Sequence, residues 1–239
     1  EYIKNFGFGK KTGIDLNGEG SGILFNLDNV GPVELATTSF GQGVSVTPIQ
    51  QITAVSAAIN GGYLYRPYIV KSLNEPETNA VIKQNKKKLV RKVISNETSE
   101  KVRNTLENVV SFGTGRPAYI DGYRVGGKTG TAQKVQDGKY MVENYITSFI
   151  GFMPANDPEV VVYIAVDNAK GVTQYGGTIA GPIARTVLND IIGILDIKKP
   201  KGGSEKKYNY MDKVYKEVPN VIGLTPSEAT KLLGDFKIE

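Results

Sequence analysis

Cysteine and histidine are both missing from this chain of 239 residues, and each absence removes a class of chemistry. Without histidine there is no Ser-His-Asp or Cys-His arrangement; without cysteine there is no thiol nucleophile, thiolate metal site or disulfide. Proton transfer falls to Lys, Asp, Glu or Tyr. An exterior location is compatible with a cysteine-free composition but is not indicated by it. No uninterrupted apolar run reaches the roughly 18 residues that span a bilayer, and Glu1 opens neither a signal peptide nor an initiator region. The sequence reads as a piece of a longer protein.

Acidic residues are the scarcer sign, 24 against 29 Lys and Arg, for a net charge of +5. Such a surplus favours wall polymers, acidic lipid or nucleic acid. It concentrates in residues 83–92 and 198–216, which read as a solvated strand face and a linker. Aromatic residues do not interleave with a basic stripe, so no single-strand nucleic-acid platform is expected.

The densest chemistry that is present is Gly126-Gly127-Lys128-Thr129-Gly130-Thr131-Ala132-Gln133. Glycine admits a close backbone, lysine brings a point charge, and threonine hydroxyls bond a carboxylate or phosphate. Two chemistries use such a run. Gly122, Gly127, Lys128 and Thr129 satisfy the phosphate-loop spacing G-x-x-x-x-G-K-[ST]. A K-T-G strand also accompanies an S-x-x-K nucleophile and an S-x-N element in penicillin-recognising enzymes. A phosphate loop needs a preceding apolar strand and an immediately following helix; residues 113–122 are loop-like, and Asp137-Gly138 turns the chain too soon. The run 160–166 followed by Asp167 does imitate the metal-binding strand of nucleotide enzymes. As a strand, Lys128, Gly130 and Ala132 share one face, and Thr129, Thr131 and Gln133 the other. An extended peptide could pair along its edge; the plain alternative is an edge strand whose lysine deters aggregation.

Residues 1–30 are expected to be loops and turns. Thr47-Pro48 opens a helix that carries Ile49, Ile52, Val55 and Ile59 and ends at Asn60-Gly61-Gly62. Residues 63–73 and 89–94 are expected strands, joined through a polar connection at 74–79 and a lysine-rich turn at 85–87. A second helix starts near Ser95, with Val102, Leu106, Val109 and Val110 on its apolar face, and stops at 113–115. Strands follow at 123–135, 145–153 and 160–166, the last two a hairpin across 154–158. A final helix begins near Thr178, with Pro182 in its first turn. The expected architecture is α+β, an antiparallel sheet flanked by helices.

Four blocks then appear in order: Phe8-Gly9-Lys10-Lys11-Thr12-Gly13-Ile14-Asp15-Leu16, Ser39-Phe40-Gly41-Gln42-Gly43, residues 123–133, and Phe149-Ile150-Gly151-Phe152-Met153-Pro154. Together they resemble the C-terminal part of the transpeptidase domain of class B penicillin-binding proteins, most nearly the sporulation-specific type of spore-forming Firmicutes. Residues 1–197 are assigned to that domain, 198–216 to a linker, and 217–239, on the likeness of residues 218–236, to a truncated PASTA module. The resemblance implies a peptidoglycan D,D-transpeptidase acting through a serine acyl-enzyme, without cofactor or metal. The implied ligands are a stem peptide ending in D-Ala-D-Ala and β-lactams, and a glycosyltransferase is the implied partner.

Carried onto this chain, the resemblance makes Lys128 and Thr131 catalytic, the Thr131 backbone N–H forming half of an oxyanion hole. Lys128, Thr129, Gly130, Thr131 and Gln133 become the substrate-binding set. The Phe40-Gly41-Gln42-Gly43 loop is expected to be scaffold, with cleft shaping as the alternative. The family's S-x-x-K and S-x-N lie before the block near Phe6, so the nucleophile is expected upstream and the chain alone inactive. Ser204-Glu205-Lys206-Lys207, Ser72-Leu73-Asn74 and Lys11-Thr12-Gly13 imitate the motifs in the wrong context. The family also implies an N-terminal membrane anchor with this domain on the exterior face, or facing the forespore intermembrane space. A non-catalytic penicillin-recognising sensor or structural wall-synthesis partner, and a nucleotide binder, are the rival readings.

Overall fold

Proline and capping residues punctuate the chain from its start. The computed structural model describes residues 1–26, 28, 30–136, 139–200 and 219–233. Two compact units result, Glu1–Tyr208 and Asn209–Glu239. The expected turn at Asp137-Gly138, the Ser204-Glu205-Lys206-Lys207 imitator, most of the expected linker and the ends of the expected small module lie outside the described residues.

Residues 1–30 are not wholly loop: α1 (Tyr2–Asn5) is a single helical turn, and α2 (Pro32–Thr38) follows with proline at its start. Helix α3 (Pro48–Ile59) forms as the sequence predicts. The Thr47 hydroxyl accepts from the Gln50 N–H at 3.2 Å, while Gln50 Oε1 accepts from the Thr47 N–H at 2.9 Å, so two otherwise orphaned donors satisfy each other's residues. Gln50 is 1% exposed, and its Nε2 donates to the carbonyls of Lys10 and Ser21. A buried amide with all these partners ties the N-terminal segment to the helix.

The expected single strand over residues 63–73 is instead broken in two. Strand β1 (Tyr63–Arg66) pairs with β4 (Lys88–Lys92), while β2 (Ser72–Asn74) pairs with β3 (Val81–Gln84), both antiparallel. Two causes act together. Pro67 has no N–H for a ladder, and the N–H groups of Ile69 and Val70 are taken by the Asp15 carboxylate at 2.7 and 2.9 Å. Strand β3 itself went unpredicted.

Helix α4 (Asn96–Phe112) is capped by Ser95, whose hydroxyl accepts from Thr98 N–H, and ends at Gly113. A 3-10 turn over Arg116–Ala118 leads to the central antiparallel sheet, ordered β5 (Gly126–Gln136), β6 (Lys139–Met153) and β7 (Val160–Asp167). Strand β5 starts three residues later than expected because Tyr123 N–H closes a turn onto Ile120 O and Arg124 O accepts from Ala155 N–H. Strand β6 starts six residues earlier. Its ladder continues past an irregularity between Gln133 and Val135, which accommodates Glu143 at φ 55°.

Helix α5 (Gly176–Leu195) carries Pro182 in its second turn, not its first. There the proline leaves the Thr178 carbonyl without its usual donor. By length and composition α5 could cross a bilayer, yet Ala180, Ala184 and Leu188 are buried with Phe149 and Met153 against one face of the sheet. The other face buries Phe152 with Ile59 of α3 and Ala155, flanked by Val102 and Leu106 of α4. Phe149 and Phe152, an odd number of positions apart on β6, must point to opposite faces, and each anchors one layer. Truncating either to alanine costs about 3–5 kcal/mol. In the second unit, α6 (Pro226–Leu232) has a capping box of Thr225 and Glu228.

Candidate active site on the open edge of the central sheet

Strand β5 pairs with β6 on one side; among the described residues no strand pairs on its other side. All five expected site residues lie on it. Lys128, Thr129, Gly130, Thr131 and Gln133 stand opposite Ile150, Phe149, Ser148, Thr147 and Tyr145. The alternation expected from the sequence holds. Thr129 and Thr131 face the α5 side: the Thr129 hydroxyl lies 3.0 Å from that of Thr114, and the Thr131 hydroxyl accepts from Gly176 N–H at 3.1 Å. Gln133 is half-buried and follows on the same face by strand parity. Lys128 and Gly130 belong to the opposite face, where a Cβ on Gly130 would come 2.5 Å from Ser148 Oγ.

Lysine and threonines therefore do not form one flat wall. They bracket the strand from its two faces. The exposed Lys128 ammonium then reaches back and donates to the Thr129 carbonyl at 2.9 Å, which brings its charge to the strand's own backbone.

Behind the threonines sits the N-terminus of α5. A Cβ on Gly176 would lie 2.3 Å from Gly130 O and 2.4 Å from Ser148 O, and one on Gly177 would lie 2.3 Å from Thr114 O. Glycine alone permits that approach. A 20-residue helix thus aims the positive end of its dipole at the strand segment that carries Lys128, and both favour an anion there. Its first N–H is already spent on Thr131, so the helix positions that hydroxyl as well as biasing the field.

Thr114, Gly176 and Gly177 were missed by the sequence reading. A signal existed for the glycines, since a Gly-Gly pair opening an otherwise apolar helix marks a close approach. Thr114 carried none beyond its place in a helix stop.

The phosphate-loop alternative does not survive this geometry: Lys128 and Thr129 lie mid-strand, and the chain stays extended to Gln136. The imitators are likewise separated from the site motif. Ser72 and Asn74 belong to β2 in a different sheet. Thr12 and Gly13 instead hold Glu19, which accepts from both N–H groups and from the Thr12 hydroxyl.

The approach to β5 is fixed by a second charged pair. Arg124 Nε and Nη2 donate to the two Glu107 oxygens at 2.8 and 2.7 Å, with side chains 16% and 6% exposed. This bidentate fork joins α4 to the residue two before β5.

Comparison with known proteins places the chain in one family. The penicillin binding protein transpeptidase domain matches residues 1–189. Stage V sporulation protein D of Bacillus subtilis (strain 168) is 57% identical over all 239 residues, which cover 37% of that relative. A peptidoglycan D,D-transpeptidase FtsI homolog of Mesostigma viride is 38% identical over 69% of this chain and 30% of its own length. Among solved structures, penicillin-binding protein 3 from Mycobacterium tuberculosis, complexed with ampicillin, superposes with a TM-score of 0.74 at 28% identity, covering 84% of this chain and 46% of that one. The chain therefore spans less than half the length of these relatives.

Proposed function

Because the chain belongs to the penicillin-binding protein transpeptidase domain family, we propose that it supplies the substrate-gripping wall of a peptidoglycan D,D-transpeptidase. One observation supports this most: an open strand edge on which the Lys128 ammonium meets the Thr129 carbonyl, backed by the α5 N-terminus at Thr131. A stem peptide ending in D-Ala-D-Ala is extended and anionic at its end. It suits an edge that offers main-chain pairing and a positive field together.

In this reading a serine contributed from before Phe6 attacks the penultimate D-alanyl carbonyl. The tetrahedral oxyanion is held in part by the Thr131 N–H, and the C–N bond breaks to release D-alanine. An amine of a neighbouring strand then attacks the acyl ester and returns the serine. Lys128 steers and holds the terminal carboxylate, displacing its ammonium from the Thr129 carbonyl. Thr129 and Thr131 orient the carboxylate, Gly130 leaves room for it, and Gln133 extends the contact surface. β-Lactams acylate the same serine. A membrane-anchored protein with this domain on the exterior face, or facing the intermembrane space of a forespore, working beside a glycosyltransferase, is the setting.

In the longer protein, Lys128→Ala slows acylation by a fluorescent penicillin by about 100-fold, the size of losing one oriented electrostatic group; unchanged acylation reduces Lys128 to an edge-strand guard. The 239-residue chain alone takes up no penicillin covalently, and uptake would place the nucleophile within it.

A further inference from the structure

Residues 63–94 carry eight Lys and Arg against two acids, Glu75 and Glu77. This lobe, built from β1 to β4, thus holds a larger positive surplus than the +5 of the whole chain. As a sequence, the lysine run reads as a solvated face. The structure makes it a convergent one. Arg66, Lys83, Lys86 and Lys88 line a single depression with Tyr68, and an adjoining one, sharing Asp15, Lys83 and Asn85, is lined by Val70 and Leu73. The one carboxylate among them, Asp15, is turned to the Ile69 and Val70 N–H groups and to Asn85, so much of its charge is already engaged.

The same lobe leaves aliphatic surface in water. Every residue of β3 and β4 is exposed; Ile69 and Ile82 are 61% and 66% exposed, and Val81, Leu89 and Leu73 also face solvent. Of the exposed aliphatics, Val70 and Leu73 lie next to the cations, and exposed apolar surface of this kind marks a contact surface. Lysines that merely guard a strand edge would not need to converge on one depression. A soluble polyanion would satisfy the cations and leave the aliphatics wet. A bilayer interface accepts both, phosphates against the ammonium groups and aliphatic side chains at the headgroup–acyl boundary, with lysine stems lying along the apolar surface.

We propose that this lobe is a peripheral docking surface for an anionic phospholipid bilayer. Lipid phosphates occupy the Arg66–Lys83–Lys86–Lys88 depression, while Val70 and Leu73, which line the adjoining one, enter the interface beside it. The Asp15 carboxylate holds the Ile69–Val70 segment in place for that contact. The contact is independent of the strand-edge chemistry of β5.

The test is cosedimentation of the 239-residue chain with vesicles of phosphatidylcholine, with and without roughly 30% phosphatidylglycerol. Binding to the anionic vesicles alone, reduced by salt, is expected. Lys83→Glu/Lys86→Glu/Lys88→Glu weakens it by about 100-fold or more, since each cation near such a surface contributes roughly fivefold. Val70→Ser/Leu73→Ser weakens it while leaving the charge intact. Circular dichroism checks that each variant is folded, and Lys86→Gln/Lys88→Gln replaces the triple variant if charge reversal unfolds the lobe. No binding to anionic vesicles overturns the proposal. So does binding that the charge variants leave unchanged, or binding indifferent to Val70→Ser/Leu73→Ser and matched by soluble polyphosphate, which would assign the cations to a polymer.

Discussion

The Asp15 carboxylate shows how much one residue can decide at long range. Ile69 N–H is the largest influence on it; burial opposes, and Val70 N–H with the nearby Arg66 charge add to the first, so its pKa falls below the ordinary 3.8. A carboxyl depressed in the folded state stabilises above its unfolded value, and that contribution disappears as pH falls through the lower folded value. The amide proton shifts of Ile69 and Val70 are therefore expected to titrate together with a midpoint below 3.8. A midpoint at or above it removes the contact. Glu19 reaches the same direction by another balance: burial pushes its pKa up, and the Thr12 hydroxyl and the Thr12 and Gly13 N–H groups pull it further down. The sequence shows Asp15 inside a recognisable block but not its partners 54 and 55 positions away. For the same reason Lys128, Thr129 and Thr131 were legible, being contiguous, whereas Thr114 was not, because what gives it meaning is a hydroxyl 15 residues distant.

Elements were readable where their signals are local. Helices α3 and α4 begin at Thr47-Pro48 and Ser95 because a cap acts within three residues of itself. Strands were less so. The break after Arg66 depends on Pro67, which is local, and on Asp15, which is not, while the strand β3 needs β2 beside it to exist. Helix α5 is the element on which the site most depends, since its first N–H holds the Thr131 hydroxyl. Its seat requires the bare backbone of Gly176. Gly176→Ala puts a Cβ within 2.4 Å of two carbonyls and should destabilise the fold by about 1–3 kcal/mol. It should also slow penicillin acylation in the longer protein while Lys128 is intact. A thermal melt and an acylation rate measured on the same variant separate the two effects. A normal rate would show that α5 supports the sheet without tuning the site.

At the scale of the molecule, the site is held by the way both helix layers meet one sheet, and the Glu107–Arg124 pair is where that meeting is most specific. Glu107 belongs to α4, Arg124 precedes β5, and the Arg124 carbonyl accepts from Ala155 N–H beyond the end of β6. One residue thereby couples a helix, the approach to the site strand and the β6–β7 connection. Charge pairing of this kind has no periodicity, which is why composition and spacing could place each residue on its element but could not join them. Its energetics predict an asymmetry. Removing one partner takes the bidentate counter-charge from a nearly buried group, so Arg124→Met should cost about 3–5 kcal/mol, whereas replacing both partners with apolar side chains of similar size removes most of that penalty. Urea unfolding of Arg124→Met and of Glu107→Leu/Arg124→Met measures it. Recovery in the double variant marks the pair as a device for orienting β5, whose loss then shows in acylation instead of stability. If the double variant is as unstable as the single one, the fork is a structural bond that packing cannot replace.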